Sequence, residues 1–206
     1  MKKILLLSGL ALLTLVSCGT KKEVLFNGEN LDGWVWLTRD PEPGQELPEP
    51  TFSVKDGALH ISGQPFGYIR TEKKYGNYSL HVEWRWTAGR VDCGIFNRLQ
   101  DGDKVWPTGI QLQMRQSDFG FFISGIPLEG IEGVPYRKAP LKEMDPELPD
   151  GQWNETVITC RDGRISATVN GVLVNEAVAE ATEGYIGFQS EGGAIEFRNI
   201  YLKPIR

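Results

Sequence analysis

His81, Glu83 and Arg85 occupy alternate positions in the stretch Asn77–Trp86. Together they offer a base, a carboxylate and a fixed cation, the groups needed to move a proton and hold the negative charge it leaves behind. The residues between them, Tyr78, Leu80, Val82, Trp84 and Trp86, are apolar. Successive side chains of a strand point to opposite faces, so a period of two predicts a β-strand with one greasy side and one ionisable side. Gly109–Arg115 repeats the design, with Ile110, Leu112 and Met114 set against Gln111, Gln113 and Arg115. Cys93–Arg98 alternates too, placing Cys93, Ile95 and Asn97 opposite Gly94, Phe96 and Arg98. Gln189 follows Phe188, and Glu191 lies in the turn beyond. If these strands are neighbours, one sheet face carries His81, Glu83, Arg85, Gln111, Gln113 and either Asn97 or Arg98. Gly94 and Gly109 would leave room there for a ligand.

Such a face suits sugars. Hydroxyl-rich ligands want carboxylate, amide and guanidinium groups on a rigid sheet, with aromatics for the apolar ring faces. Trp34, Trp36, Trp106 and Trp153 sit near predicted loops, where they could stack on a ring. A plainer reading stands beside this one. Glu83 and Arg85 could pair across a solvated sheet face, and His81 could be an ordinary surface histidine.

The elements that must position these residues are short strands. Asp56-Gly57, Asp162-Gly163 and Asn170-Gly171 are strong hairpin signals. They join Thr51–Ile61 into a hairpin, and Glu155–Cys160, Arg164–Val169 and Val172–Ala177 into a meander. Tyr185–Gln189 and Ala194–Leu202 follow. No long helical pattern intervenes. The expectation is an all-β protein, an antiparallel two-sheet β-sandwich or jelly roll. Two long irregular stretches interrupt it, 38–50 and 126–153, the second holding Pro127, Pro135, Pro140, Pro146 and Pro149. Loops of that length in a compact domain are either functional or surface decoration.

Composition narrows the function. A net charge of −5 and no basic cluster beyond Lys21-Lys22 and Lys73-Lys74 argue against nucleic acid as a partner. Only His60 and His81 are available, so no Ser-His-Asp triad and no zinc site can be built on spacing grounds. No P-loop or dinucleotide fingerprint occurs. At the N-terminus, Met1-Lys2-Lys3 is followed by an apolar run, Ile4–Val16, too short to span a bilayer comfortably. Leu15-Val16-Ser17-Cys18-Gly19 resembles a bacterial lipobox, which implies cleavage before Cys18 and its lipidation. The expected organisation is a lipoprotein signal peptide over 1–17, a short tether over 18–23 and a single β-sandwich domain over 24–206. The anchor would place the protein in the cell envelope, on the periplasmic side of the outer membrane. Cys93 and Cys160 each lie in an apolar run and are expected to be unpaired thiols.

A set of ordered motifs runs through the chain. These are Leu25-Phe26-Asn27-Gly28-Glu29-Asn30-Leu31-Asp32-Gly33-Trp34, Phe52-Ser53-Val54-Lys55-Asp56-Gly57, Glu83-Trp84-Arg85, Gly94-Ile95-Phe96-Asn97-Arg98, Gly151-Gln152-Trp153-Asn154, Val169-Asn170-Gly171, Gly184-Tyr185-Ile186-Gly187-Phe188-Gln189 and Ile195-Glu196-Phe197-Arg198-Asn199-Ile200. In this order they resemble the 3-keto-disaccharide hydrolase family. The resemblance implies a concanavalin A-like sandwich whose concave face holds a carbohydrate. It implies cleavage of 3-keto-glycosides by removal of the C2 proton, expulsion of the C1 substituent and hydration. It implies Glu83 or His81 as base, Arg85 as clamp, and Asn97, Arg98, Trp106, Gln111, Gln113, Gln189 and Glu191 as substrate contacts. A divalent metal is the cofactor the resemblance would add.

The chain departs from the family pattern in three places, one of them Gly120-Phe121-Phe122, where relatives have Gly-Asp-Phe. Gln111 stands where relatives commonly carry a glutamate, and Asp92-Cys93-Gly94 replaces Asn-Ser-Gly. A neutral amide is no base and a poor divalent ligand, which weakens both turnover and metal binding. The Glu-x-Asp-x-x-Glu signature of sandwich glucanases is absent. Three readings therefore stand: a glycoside-cleaving enzyme, a non-catalytic carbohydrate-binding lipoprotein on the same fold, and a face that packs against a partner protein. The lipobox has its own consequence. Cys18→Ser should move the protein from the membrane fraction to the soluble fraction on cell fractionation; unchanged membrane association would refute the anchor.

Overall fold

The computed structural model describes residues 21–205, apart from 48, 103, 116–117, 127–128, 130–135 and 142–144. The signal peptide, Cys18, Pro127 and Pro135 lie outside the described residues. In chain order the strands begin with β1 (Glu23–Val24), β2 (Trp34–Thr38), β3 (Phe52–Lys55), β4 (Ala58–Ile61) and β5 (Gly67–Thr71). Next come β6 (Tyr78–Trp86), β7 (Gly94–Leu99), β8 (Gly109–Gln113), β9 (Phe121–Ser124) and β10 (Tyr136–Lys138). The last are β11 (Asn154–Arg161), β12 (Arg164–Val169), β13 (Val172–Val178), β14 (Tyr185–Ser190) and β15 (Ile195–Pro204).

These strands make two antiparallel sheets. One runs β13-β12-β11-β6-β15-β4-β3, with β1 added against β15; the other runs β10-β9-β8-β7-β14-β5-β2. The expected hairpins form where the turn residues dictate. Asp56-Gly57, Asp162-Gly163 and Asn170-Gly171 all have positive φ at both positions, between 47° and 81°. That is the type I′ geometry whose twist matches the flanking strands, and Asn, Asp and Gly tolerate it best.

The interior lies between the sheets. On β6 the residues Tyr78, Leu80, Val82, Trp84 and Trp86 are all buried, while Ser79, His81, Glu83 and Arg85 are not. The facing sheet contributes Ile95, Ile110, Leu112, Ile186 and Phe188. Cys93 and Cys160 are buried free thiols, and burial pushes both well above the usual thiol range. Trp84 is fully enclosed, with its ring 6.3 Å from those of Trp86 and Phe119. Its indole Nε1 donates to Thr156 Oγ1 on β11 at 2.8 Å. Trp84→Phe removes that donor and opens a small void, so it should cost about 1–3 kcal/mol in urea denaturation. A loss near zero would mean that the indole position is not a keystone of the interior.

Candidate functional site

The polar face expected from sequence is divided in two. β6 belongs to the eight-stranded sheet, and β7, β8 and β14 belong to the seven-stranded one. Each sheet turns its apolar side inward, so the polar sides point to opposite exteriors of the sandwich. His81, Glu83 and Arg85 therefore cannot meet the same ligand as Gln111 and Gln113.

On the outer side of β6, the three residues are held by their neighbours. Arg198 Nε and Asn199 Nδ2 each donate to Glu83, at 2.7 Å to Oε2 and Oε1 respectively. Arg85 Nε donates to Glu196 Oε2 at 2.8 Å. His81 lies 3.0 Å from Glu155 Oε2 and 2.9 Å from the Asn199 carbonyl oxygen, and its ring stacks on Tyr201 at 4.5 Å. The Trp153 ring takes two guanidinium groups, Arg85 at 4.6 Å and Arg198 at 3.9 Å. Partial burial raises the Glu83 carboxyl, but the Arg198 and Asn199 bonds outweigh it and leave the pKa below the usual carboxylate range. Both Glu83 oxygens are committed and its affinity for a proton is lowered, the opposite of what a general base needs. This is a cross-strand ladder of opposite charges on β11, β6 and β15.

Asn97 and Arg98 also leave the expected face. Arg98 adopts φ 56°, and the β7–β14 register shifts across this end of β7. Asn97 is buried and accepts from the Tyr78 hydroxyl at 2.9 Å, inside the sandwich. Arg98 is 1 % exposed, and its Nη1 donates to the Gly76 carbonyl at 2.9 Å. Asn97 thus follows Ile95 inward by ordinary alternation, while the bulge turns Arg98 out of phase and makes it an interior tie as well.

The remaining expected residues gather in one place. Trp106, Gln111, Gln113, Gln189 and Glu191 line a cleft of about 490 Å³ on the outer side of the seven-stranded sheet, together with Asp92 and Arg115. Its floor is a relay of amides. Gln111 Nε2 donates to Gln113 Oε1 at 2.9 Å and to Gln189 Oε1 at 2.6 Å, and Gln189 Nε2 donates to Glu191 Oε2 at 2.5 Å. Gln111 reaches β14 from β8 by lying across β7 at Gly94, where a Cβ would stand 2.0 Å from Gln111 Nε2. The space at Gly94 is thus filled by an amide, and that at Gly109 by Leu99, whose Cδ2 would be 2.7 Å from a Cβ. Gly94 therefore leaves no room for a ligand, whereas Gly109 does line the cleft.

Two carboxylates face this floor. Asp92 Oδ1 is buried with no hydrogen-bond partner among the described residues, and Oδ2 lies 3.9 Å from Arg115 Nη1. Burial raises the Asp92 carboxyl to about 6, against the opposing pull of Arg115 and Gln113. Burial also raises Glu191, and the nearby Asp92 charge adds to it, while Arg115 and Arg39 oppose. Two carboxylates lifted by burial, one of them further by the charge of the other, beside a fixed cation make an acid–base arrangement. Asp92 was passed over as a site residue because it precedes the alternating run of β7; its one signal was the departure from Asn-Ser-Gly.

The donor set does not fit a divalent cation. It holds two carboxylates, amides bonded to one another and a guanidinium beside one carboxylate. No group of three His, Cys, Asp or Glu spaced for a metal exists among the described residues.

The sequence profile of the 3-keto-alpha-glucoside-1,2-lyase-like domain matches residues 21–203. The chain belongs to this family. Its fold is shared with a crystal structure of a candidate glycosyl hydrolase from Parabacteroides distasonis ATCC 8503, at 22% identity and TM-score 0.65, covering 90% of this chain and 94% of that one. The carbohydrate binding module CBM66 from Bacillus subtilis matches at 12% identity and TM-score 0.60, over 84% and 97% of the two chains. Bacillus licheniformis β-glucanase matches at 16% and 0.57, over 92% and 100%. No curated protein sequence matches the chain. Membership of the 3-keto-alpha-glucoside-1,2-lyase-like family and the shared sandwich agree with the expected all-β, concanavalin A-like architecture.

The ladder on β6 makes a prediction of its own. Glu83→Gln should lower stability by about 0.2–1 kcal/mol, since its Arg198 partner is 42% exposed and well screened. Ligand binding in the cleft, followed by calorimetry, should not change. Lost binding with unchanged stability would return Glu83 to the ligand.

Proposed function

We propose that this member of the family is a carbohydrate-active protein that cleaves 3-keto-glycosides in the Asp92–Glu191 cleft. The observation that carries the reading is the uncommitted, buried Oδ1 of Asp92, set beside Glu191 and Arg115 above a rigid amide floor. The family description and the carbohydrate-related neighbours support the substrate class.

A ketone at C3 makes the C2 proton acidic. In the proposed route Asp92 removes that proton, and the C2–H electrons pass into an enolate whose oxygen meets the Arg115 guanidinium. The enolate then collapses, forming the C1–C2 double bond as the C1–O bond breaks. Glu191, lifted toward its neutral form, gives the departing oxygen its proton. Water adds to C1 afterwards. No electron acceptor or metal enters the balance. The amides of Gln111, Gln113 and Gln189 orient the ring hydroxyls and hold Glu191 in place. The N-terminal anchor proposed at Cys18 would keep this activity in the cell envelope.

The second reading, a non-catalytic carbohydrate-binding lipoprotein, is favoured by one observation: the cleft floor is a relay of neutral amides, which cannot take up a proton. Incubating the protein with 3-keto-disaccharides, with and without divalent metals, separates the two. Turnover supports the enzyme; sugar binding by calorimetry without product under any condition supports the binding module.

For the enzyme, Asp92→Asn keeps shape but removes the base, and kcat should fall by a factor on the order of 10² or more. The charged groups acting on Asp92 are Arg115 and Asp118, and Glu191 lines the same cleft. A base must be ionised to act, so kcat/KM should rise with pH through about 6, the value to which burial lifts Asp92. An acid limb that survives unmoved in Asp92→Asn would assign the base elsewhere.

A further inference from the structure

The outer side of the eight-stranded sheet is not uniform. Its middle is the ladder around His81, Glu83 and Arg85, where charges alternate. Its end beside the Asp162-Gly163 turn is basic. Arg161 on β11 and Arg164 on β12 stand directly opposite one another, and both are exposed. Like charges in that position cost a sheet stability. Arg161 Nε lies 3.6 Å from Asp162 Oδ2, while Arg164 has no ion-pair or hydrogen-bond partner among the described residues. Both arginines line a hollow of about 480 Å³, together with Lys138, Thr159, Ser166 and Glu176. Cations and hydroxyls there face a single carboxylate.

The basic character continues across the sheet. Ser166 is opposite Thr159, Thr159 is opposite Ser79, and Ser79 is opposite Lys203 on β15. This row of hydroxyls thus ends on an exposed lysine. β1 runs antiparallel to β15 with Glu23 against Leu202, so the residue before it lies alongside Lys203. That residue is Lys22, whose Nζ stands 3.6 Å over the Tyr201 ring. Lys22, Lys203, Arg161 and Arg164 mark one end of one face, on a chain whose net charge is −5.

The same end receives the tether. Five peptide steps separate Cys18 from Glu23, a reach of about 17 Å at full extension. The anchor proposed at Cys18 would therefore hold this end of the sheet against the lipid surface. The cleft lies at the other end of the sandwich. β14 starts next to Gly184, which pairs with Tyr75, and the Tyr75 hydroxyl donates to Glu23 at 3.1 Å. Glu191 comes only after the last residue of β14, Ser190.

We propose that Lys22, Lys203, Arg161 and Arg164 seat this end of the sheet on the phosphates of an anionic phospholipid surface, with one headgroup phosphate entering the hollow between the two arginines. Phosphate oxygens suit a pair of guanidinium groups backed by hydroxyls. Basic side chains held at an anionic leaflet are attracted to it within a Debye length. Charge complementarity and the entry point of the tether both favour a membrane over a soluble partner. Docked this way, the protein keeps its cleft turned away from the lipid.

The test uses the chain from residue 18 onward with Cys18→Ser, which keeps every described residue and carries no acyl group. A failure of the anchor in cell fractionation and a failure of this face on vesicles are therefore read separately. Co-sedimentation with vesicles of phosphatidylcholine and phosphatidylglycerol in equal parts should be about tenfold or more stronger than with phosphatidylcholine alone, and raised salt should abolish the difference. Arg161→Gln combined with Arg164→Gln should weaken binding to the anionic vesicles about tenfold. If that variant does not fold, Lys22→Gln combined with Lys203→Gln takes its place, with the same expectation. Equal binding to both vesicles, no binding to either, or no loss in a folded variant overturns the docking face. Inorganic phosphate bound in calorimetry and lost in the arginine variant, without any preference between vesicles, overturns the membrane in favour of a soluble anion.

Discussion

The inward side of β6 is the constraint on which the molecule turns. Leu80, Val82, Trp84 and Trp86 leave water as one row, and the Trp84 indole reaches Thr156 on the neighbouring strand. Burying such a row stabilises the fold by roughly 1.5–3 kcal/mol per large side chain. Once that row is inside, His81, Glu83 and Arg85 have no choice of direction. They must face outward from the eight-stranded sheet, away from every residue of the other sheet. The separation of ladder and cleft is thus a packing result before it is a chemical one.

The ladder and the cleft use the same side-chain types to opposite ends. On β6, β11 and β15 each charge meets its opposite across the strands, and exposure to water keeps each pair worth little. In the cleft, burial outweighs pairing. Asp92 and Glu191 have Arg115 nearby, yet both are pushed toward the neutral form. The amide floor between them is held because Gln111 lies over a glycine with its Nε2 bonded to both Gln113 and Gln189. A fixed floor under two titrating carboxylates is a preorganised arrangement, in which little must be reoriented when charge moves.

Two of the departures from the pattern that the resemblance implies meet in this cleft. Gln111 removes a carboxylate from β8, and Asp92 introduces one just before β7. Both line the same space, and Gln113, bonded to Gln111, also helps hold down the Asp92 carboxyl. Read separately, the first change argues for lost function. Against the pattern that the resemblance implies, the pair would shift a negative charge by one strand.

Much of the architecture was legible in the residues. Asp-Gly and Asn-Gly pairs accept positive φ at low cost, so the three hairpins followed from local chemistry alone. Period-two alternation set which side of each strand is buried, because that pattern repeats within a single strand. Alternation put Gln111 and Gln113 on one side of β8, and the structure brings Trp106, Gln189 and Glu191 to the same cleft. Asn97 went inward with Ile95, as the alternation itself allows, and Arg98 was turned inward by a bulge, which breaks the period without any marker of its own. Nor could alternation say that β6 and β8 lie in different sheets. A strand's pattern records that it has a polar side, but which strands lie beside it is decided by hydrogen bonds to segments far away in sequence. Only the tertiary structure decided that the histidine, glutamate and arginine of β6 brace one exterior while Asp92 and Glu191 line the other.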